Sequence, residues 1–500
     1  MKNMFQKLCC VLLAVGVVIF ASGCNEQTEE QPVQESAPAA VQEPTQAPHP
    51  ENLILLEGDA VSFVHDGVSV SGNTIRIAEA GEYVLSGTLN NGRIQIETDK
   101  GDPDVTLILD NAHITCLNDS ALYVAQANKL KLVAQAGTEN SIISGTPETM
   151  EKHNENSSGA AIYSEDDLDL EGTGSVQIFG YINNGITCKD DLTVQGGNVT
   201  VVAANNGLRA SESVQFEAGN VTVTAKNDGI KTTSAKKEGK GFIAVLGGTV
   251  TVAAEGDAIA AETDFNMMDG TLMLTTEGDP EQRSCKGIKA NTGVVISGGQ
   301  ITANTADHCI KSDVNLLVQG GTLELKSTDG KGLSAEKEVR VEGGTINIHA
   351  VDDGIDTPTA VAVTGGKLNI VSGEDGIKAG KSGETGKDQG MITISGGEIF
   401  ISAYQDGIDA KTDLRVTGGT IFAISNATKD LSFGNTAQPV VFGELTGVSG
   451  QTVALSDAAG QVLFSLDAAY SFRSVQATAA SLSEDAAYTI ATERESVQIG

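Results

Sequence analysis

Three carboxylates, Asp353, Asp375 and Asp406, each stand immediately before a Gly-Ile pair in successive copies of one short phrase. Earlier copies hold Asn184, Asn206, Asp228, Asp257, Lys286, His308 and Lys331 at that place. Three residues further on, a second column reads Thr187, Arg209, Lys231, Ala260, Lys289, Lys311, Ser334, Asp356, Lys378 and Asp409. If the copies stack, like carboxylates about 5 Å apart repel by about 1 kcal/mol per pair in bulk water, and severalfold more at an effective dielectric of ~20. Neighbouring lysines, raised pKa values or a bound cation must offset that repulsion. Calcium prefers carboxylate and carbonyl oxygens, about six to eight of them. Asp352, Asp353, Asp356, Glu374, Asp375, Asp406 and Asp409 crowd one corner of neighbouring copies. Of these, Asp352, Asp353, Asp356, Asp375, Asp406 and Asp409 are the expected metal ligands. Asp before Gly is also ordinary turn chemistry, with the side chain fanning into solvent, so both readings stand open. Lys231 and Lys378 each follow an Asp-Gly-Ile corner and are the expected contacts for an acidic ligand. Lys378 lies between Asp356 and Asp409 in its column, which should keep it protonated and a poor base.

The elements that must position these residues follow from the spacing. The corner glycines Gly185, Gly207 and Gly229 are evenly spaced, and the phrase returns to Gly407 with longer intervals where segments are inserted. A second marker, Gly197 to Gly419, repeats in the same phase. A fixed period of about 22 residues, built from short strands and Gly turns, is the signature of a solenoid. Within one copy Ile186 is apolar, Leu192 and Val194 alternate with polar residues, and so do Val199 and Val201. Period two means strands, and the segments are too short for three helical turns. The expected fold is an all-β parallel β-helix in which each period closes one coil. Stacked coils would pair at about 4.8 Å, and about eleven of them would form a rod of about 50 Å.

The chain divides in expectation into a targeting segment (1–24), a tether (25–50), an N-terminal cap with irregular coils (51–158), regular coils (159–430) and a small C-terminal β cap (431–500). The run 81–89 is the expected cover for the open end, since an uncapped end exposes unpaired strand edges. Insertions at 234–240 and 381–389 follow the same Asp-Gly-Ile-Lys phrase, and a third lies at 278–284. The first two carry lysines that could meet an acidic ligand or simply be solvated loops.

Lys2 and Lys7 precede an apolar run too short to span a bilayer comfortably, which marks an export signal. It ends Ala21-Ser22-Gly23-Cys24, which resembles a bacterial lipobox. Cys24 is the expected lipidation site, holding the protein at the outer face of the cell membrane. The following stretch, rich in Glu, Gln, Pro, Ala and Ser, cannot bury a core. The formal charge is −34, from 32 basic and 66 acidic residues. Such a chain repels nucleic acid and anionic headgroups and attracts cations. Cys116, Cys188, Cys285 and Cys309 lack zinc-type spacing; a disulfide between Cys285 and Cys309 stays open. No phosphate-binding loop, HExxH motif or GxSxG elbow is present.

The phrases Gly81-Glu-Tyr-Val-Leu-Ser-Gly-Thr-Leu, Leu109-Asp-Asn-Ala-His-Ile-Thr, Asp352-Asp-Gly-Ile-Asp and Glu374-Asp-Gly-Ile-Lys occur in order along the chain. In this combination the chain resembles bacterial carbohydrate-binding-domain-containing β-helix proteins. The family includes calcium-containing surface proteins that bind cellulose and acid sugars. The resemblance implies a right-handed parallel β-helix like that of calcium-dependent pectate lyases, bound calcium, and a cell-wall polysaccharide partner, pectin-like or cellulose. Trp is absent, and Tyr163, Phe179, Tyr181 and Tyr404 are scattered, so no aromatic platform for crystalline cellulose is expected. The expected function is calcium-assisted binding of acidic polysaccharide without catalysis. Two alternatives remain: an adhesive rod with a protein partner, and a calcium-dependent polysaccharide lyase with Lys231 or Lys378 as base.

Overall fold

The computed structural model describes residues 50–152, 159–380, 390–426 and 435–499. The lipobox at Cys24, the tether up to residue 49 and the insertion at 381–389 lie outside the described residues.

Each regular coil contributes three strands, as Asn184–Cys188, Asp191–Val194 and Asn198–Ala203 illustrate. Every strand pairs in parallel with its equivalent one coil away. Asn198 lies opposite Asn220, one plain period further along the chain. Asn220 lies opposite Thr249, one period plus the insertion at 234–240, which is looped out without disturbing register. The first strands form one 15-stranded sheet; the other two rows run together in a 29-stranded sheet. The result is the parallel β-helix expected from the period. The columns read off the sequence are real neighbours: Asp356 opposes Lys378, and Lys378 opposes Asp409.

The core is a set of apolar ladders. Ile186, Leu208, Ile230, Ile259, Ile288, Ile310, Leu333, Ile355, Ile377 and Ile408 are all fully buried and stack one above another. Burying each such side chain contributes about 1.5–3 kcal/mol. The four cysteines of this region are buried free thiols, and Cys285 and Cys309 are not joined.

The ends differ from one another. The run Gly81–Leu89 is not the end cover; it is a coil strand with parallel neighbours on both sides, Leu53–Gly58 and Val105–Cys116. Antiparallel partners Ala60–Ser62 and Val68–Ser71 close the first coil instead. At the other end Phe472–Thr478 runs antiparallel to Asp413–Ser425 and covers the last coil edge. A four-stranded antiparallel sheet follows, with its own core around Phe422, Val453, Leu455, Phe472 and Ile490.

The two glycines of the repeat serve different purposes. Gly219 has φ of +89° and turns the chain where a side chain would be strained. The corner Gly207 has no positive φ; a Cβ there would lie 2.1 Å from Val223 Cγ1 and 2.6 Å from the Gly229 carbonyl oxygen. A β-branched side chain faces the corner glycine in this way at Gly185, Gly207, Gly229, Gly332, Gly354 and Gly376. The coils that carry Ala258 and Cys309 at this corner have Leu274 and Leu325 in the column of Val223, and leucine has no branch at Cβ. Gly207→Ala is therefore expected to cost about 1–3 kcal/mol by overpacking. Combining it with Val223→Leu should recover much of that loss in thermal unfolding followed by circular dichroism. Additive losses in the double variant would refute the pairing.

Candidate functional site

The corner column is a chain of hydrogen bonds that passes from coil to coil. The backbone N–H of Asn206 donates to Asn184 Oδ1 at 3.0 Å, and that of Asp228 to Asn206 Oδ1 at 3.3 Å. The Asp257 N–H donates to Asp228 Oδ1 at 2.9 Å, and the Lys286 N–H to Asp257 Oδ1 at 2.7 Å. Further along, the N–H groups of Asp375 and Asp406 donate to Asp353 Oδ1 and Asp375 Oδ1 at 3.1 and 3.0 Å. Lysine has no acceptor, so the ladder breaks after Lys286 and Lys331. There the next coil supplies its own acceptor: Asp307 Oδ1 takes the His308 N–H at 2.7 Å, and Asp352 Oδ1 takes the Asp353 N–H at 2.8 Å. Asp228, Asp257, Asp353 and Asp375 are buried rather than fanned into solvent.

This geometry explains why Asp and Asn fill the column, and it leaves one oxygen of each Asp to be balanced. Lys231 Nζ donates to Asp228 Oδ2 at 2.7 Å. Lys331 Nζ reaches Asp353 Oδ2 at 3.0 Å and also holds Asp356. Lys378 Nζ reaches Asp375 Oδ2 at 3.0 Å and Asp353 Oδ1 at 3.3 Å. Burial would lower the Lys378 pKa, but the hydrogen bond to Asp375 and the charge of Asp353 win and push it well above the ordinary lysine value. The strongest ion partners of Lys378 are thus the corner carboxylates Asp353 and Asp375, while its column neighbour Asp356 interacts with it through charge. Asp409 instead has Lys411 at 3.5 Å. Two insertion lysines are ion-paired: Lys240 with Asp191 at 2.6 Å and Glu212 at 2.9 Å, and Lys237 with Glu212.

The six expected metal ligands therefore separate. Asp352 and Asp353 come together with Glu374, each offering an oxygen within 4.8 Å of the others. Asp356 and Asp375 are engaged by lysines, and Asp406 and Asp409 stand one coil beyond. Glu374 titrates above the ordinary carboxylate range, first because of burial and then because of the charges of Asp352 and Asp353 and a hydrogen bond with Asp352. Asp352 has its nearest lysine only at 3.9 Å, on Lys331. The outer rim of the corner thus keeps a surplus of negative charge that the lysines balance elsewhere.

The aromatic residues are less scattered than their sequence positions suggest. Tyr163 pairs with Tyr123 of the neighbouring coil, with ring centroids 5.7 Å apart. Phe179 stacks on Tyr181 at 5.4 Å, and Tyr404 meets Tyr470 edge-on at 5.8 Å. The Tyr123–Tyr163 pair comes from irregular coils: Gln95, Tyr123 and Tyr163 are successive partners at unequal intervals, so no fixed period could align them.

Two outcomes check the ladder. Asp353→Ala leaves the Asp375 N–H without its acceptor and takes one partner each from Lys331 and Lys378, which keep Asp356 and Asp375, and should cost about 1–3 kcal/mol in denaturant unfolding. Asp353→Asn keeps the acceptor, as Asn206 does, and should cost clearly less; equal losses would remove the N–H ladder from the account. The Glu374 shift sets a pH dependence. Its folded pKa is raised, so above the ordinary value of about 4.3 the folded state holds more protons than the unfolded state. Stability then falls as pH rises through that window. Glu374→Gln should melt higher than the parent at pH 7, and the gap should close below about pH 4.

A family model described as carbohydrate-binding domain-containing protein matches residues 71–332 and 328–492. A protein of Acetivibrio thermocellus with the same description is 39% identical over 236 residues, which is 47% of this chain and 82% of the relative. A solved structure described as the polysaccharide lyase-like protein from C. thermocellum, a gadolinium derivative, is 31% identical; the match covers 48% of this chain and 95% of that one, with a TM-score of 0.44.

Proposed function

Because this chain belongs to the carbohydrate-binding domain-containing protein family, we propose that it is a surface lipoprotein that binds acidic, uronic-acid-type polysaccharide with the help of calcium and without catalysis. Membership across residues 71–492 carries the carbohydrate part of this reading. The acidic-sugar and calcium parts draw support from the corner. Asp352, Asp353 and Glu374 suit a hard divalent cation: three carboxylate oxygens lie close together, and burial first, then the charges of Asp352 and Asp353, raise the Glu374 pKa. They would hold the ion at the rim, with further oxygens from water and ligand. Bound there, calcium would supply a positive charge for a sugar carboxylate. Asp353 keeps its place through Lys331 and Lys378, so the buried side of the group is fixed before any ion arrives. Asp356 and Asp375 would support this corner through Lys331 and Lys378 rather than complete the ion's shell, and Asp406 and Asp409 would stand outside it.

The pairing of Lys231 and Lys378 supports binding without turnover at these two lysines. A lyase base must be neutral to take the proton next to the uronate carboxylate. Lys378 is held protonated by Asp353 and Asp375, and Lys231 is ion-paired with Asp228. The lipid on Cys24 and the tether would present the rod outside the membrane.

Calorimetric titration of the chelator-stripped, full-length protein with calcium and then polygalacturonate tests the reading. Saturable calcium binding should be lost in Asp352→Asn/Glu374→Gln, sugar binding should strengthen after calcium, and no unsaturated product should accumulate by ultraviolet absorbance. Absence of any sugar binding, with or without calcium, would shift the function to an adhesive rod with a protein partner.

A further inference from the structure

Along its three-residue strands the 15-stranded sheet has an outer face one residue wide. From Leu208–Ala210 onward its strands are short, and the first and last side chains of nearly all of them point into the core. Each coil therefore shows one side chain on this face. In register along the rod these include Tyr123, Tyr163, Arg209, Lys231, Lys289 and Lys311. The chain has 66 acidic residues against 32 basic ones, so a random column would be mostly acidic. Between Tyr123 and Ser334 this column holds four cations and no carboxylate.

Two of these cations are ion-paired and two are not. Lys231 is tied to Asp228, and Lys311 has Glu336 at 3.2 Å. Arg209 and Lys289 form no ion pair among the described residues. The corner lysines and Lys237 and Lys240 of the insertion all do. At one end the column continues into the tyrosine pair. Its ring faces are flanked along the rod by Arg93, 4.6 Å from the Tyr123 centroid, and Lys189, 5.7 Å from the Tyr163 centroid. Arg93 is shared with Asp119 at 2.6 Å, and Glu165 lies beside Tyr163. With their faces occupied, the rings offer edges and hydroxyls rather than a flat platform.

We propose that this single-file column is the track on which a uronate-bearing polysaccharide lies lengthwise, its carboxylates meeting Arg209 and Lys289 directly and its hydroxyls meeting Tyr123 and Tyr163. The inference rests on the carbohydrate-binding reading above and adds a second, metal-free contact to it. Charge complementarity selects an anionic polymer, because the column is basic on an acidic protein. Geometry selects a linear one: coils repeat about every 4.8 Å, close to the advance of one sugar along an extended 1,4-linked chain. Successive coils can then meet successive sugars, and weak single contacts add along the rod.

Retention of the full-length protein on immobilised polygalacturonate, in chelator and at low salt, tests the track. Arg209→Gln/Lys289→Gln should weaken retention at least about tenfold and flatten its salt dependence, with unchanged melting. The charge-keeping pair Arg209→Lys/Lys289→Arg should bind like the parent. If the parent is retained and the Gln pair binds equally well, the track is overturned while the carbohydrate reading stands. Retention of the parent only after calcium is restored overturns the track in the same way. A parent that binds no polysaccharide under either condition removes the functional reading itself. Equal competition by single-stranded DNA at matched charge would overturn the assignment to a sugar.

Discussion

The rod depends on a hydrogen bond that each coil offers to the next. A side-chain oxygen at the corner accepts the backbone N–H of the following coil, and that coil repeats the offer. A buried N–H without a partner costs about 1–3 kcal/mol, so every corner must carry an acceptor or borrow one. The borrowed acceptors Asp307 and Asp352 show how strict the demand is: each appears in the coil that follows a lysine corner. Using Asp instead of Asn meets the need but stacks negative charge along one edge. Lys231, Lys331 and Lys378 answer that charge locally. The acidic corner is thus first a structural device, and its capacity for a cation arises where the device is left over-charged, at Asp352 and Glu374.

Close vertical packing is the second constraint, and it couples residues far apart in sequence. Six corner glycines sit under a β-branched side chain of the third strand row, and the two corners that carry a Cβ, Ala258 and Cys309, have leucine in that place. The apolar ladders of Ile, Leu and Val run without interruption because insertions loop out between strands. Antiparallel strands close the first coil in both sheets and cover the last coil of the 29-stranded sheet, while Ile408–Ala410 forms the last strand of the 15-stranded sheet among the described residues.

Two regions of opposite charge follow from one repeat. The position before the corner glycine faces the hydrogen-bond ladder and becomes acidic. The position three residues later faces solvent from a short strand and is free to be basic. Their separation along the coil is short, yet one lies buried in a backbone ladder and the other on an open face. A polymer with regularly spaced carboxylates suits the basic face directly and the acidic corner only through a cation. The same period that builds the rod therefore also spaces its candidate contacts.

Sequence alone determined the parallel β-helix, the coil length and the columns. The reason is that a short fixed period of alternating strands permits only in-register stacking, so Asp356, Lys378 and Asp409 had to be neighbours. It also located the acidic corner, because repeated positions must touch. It did not determine what that corner does. Whether Asp353 faces solvent, a backbone N–H or a lysine depends on side-chain direction and on Lys331 one coil away, and periodicity is silent about both. The Tyr123–Tyr163 pair was hidden because the first coils have no fixed length, and only folding aligns them. The role of Gly81–Leu89 is hidden in the sequence for the same reason: an irregular coil strand and an end cap have the same alternating pattern, and only the strands on either side distinguish them.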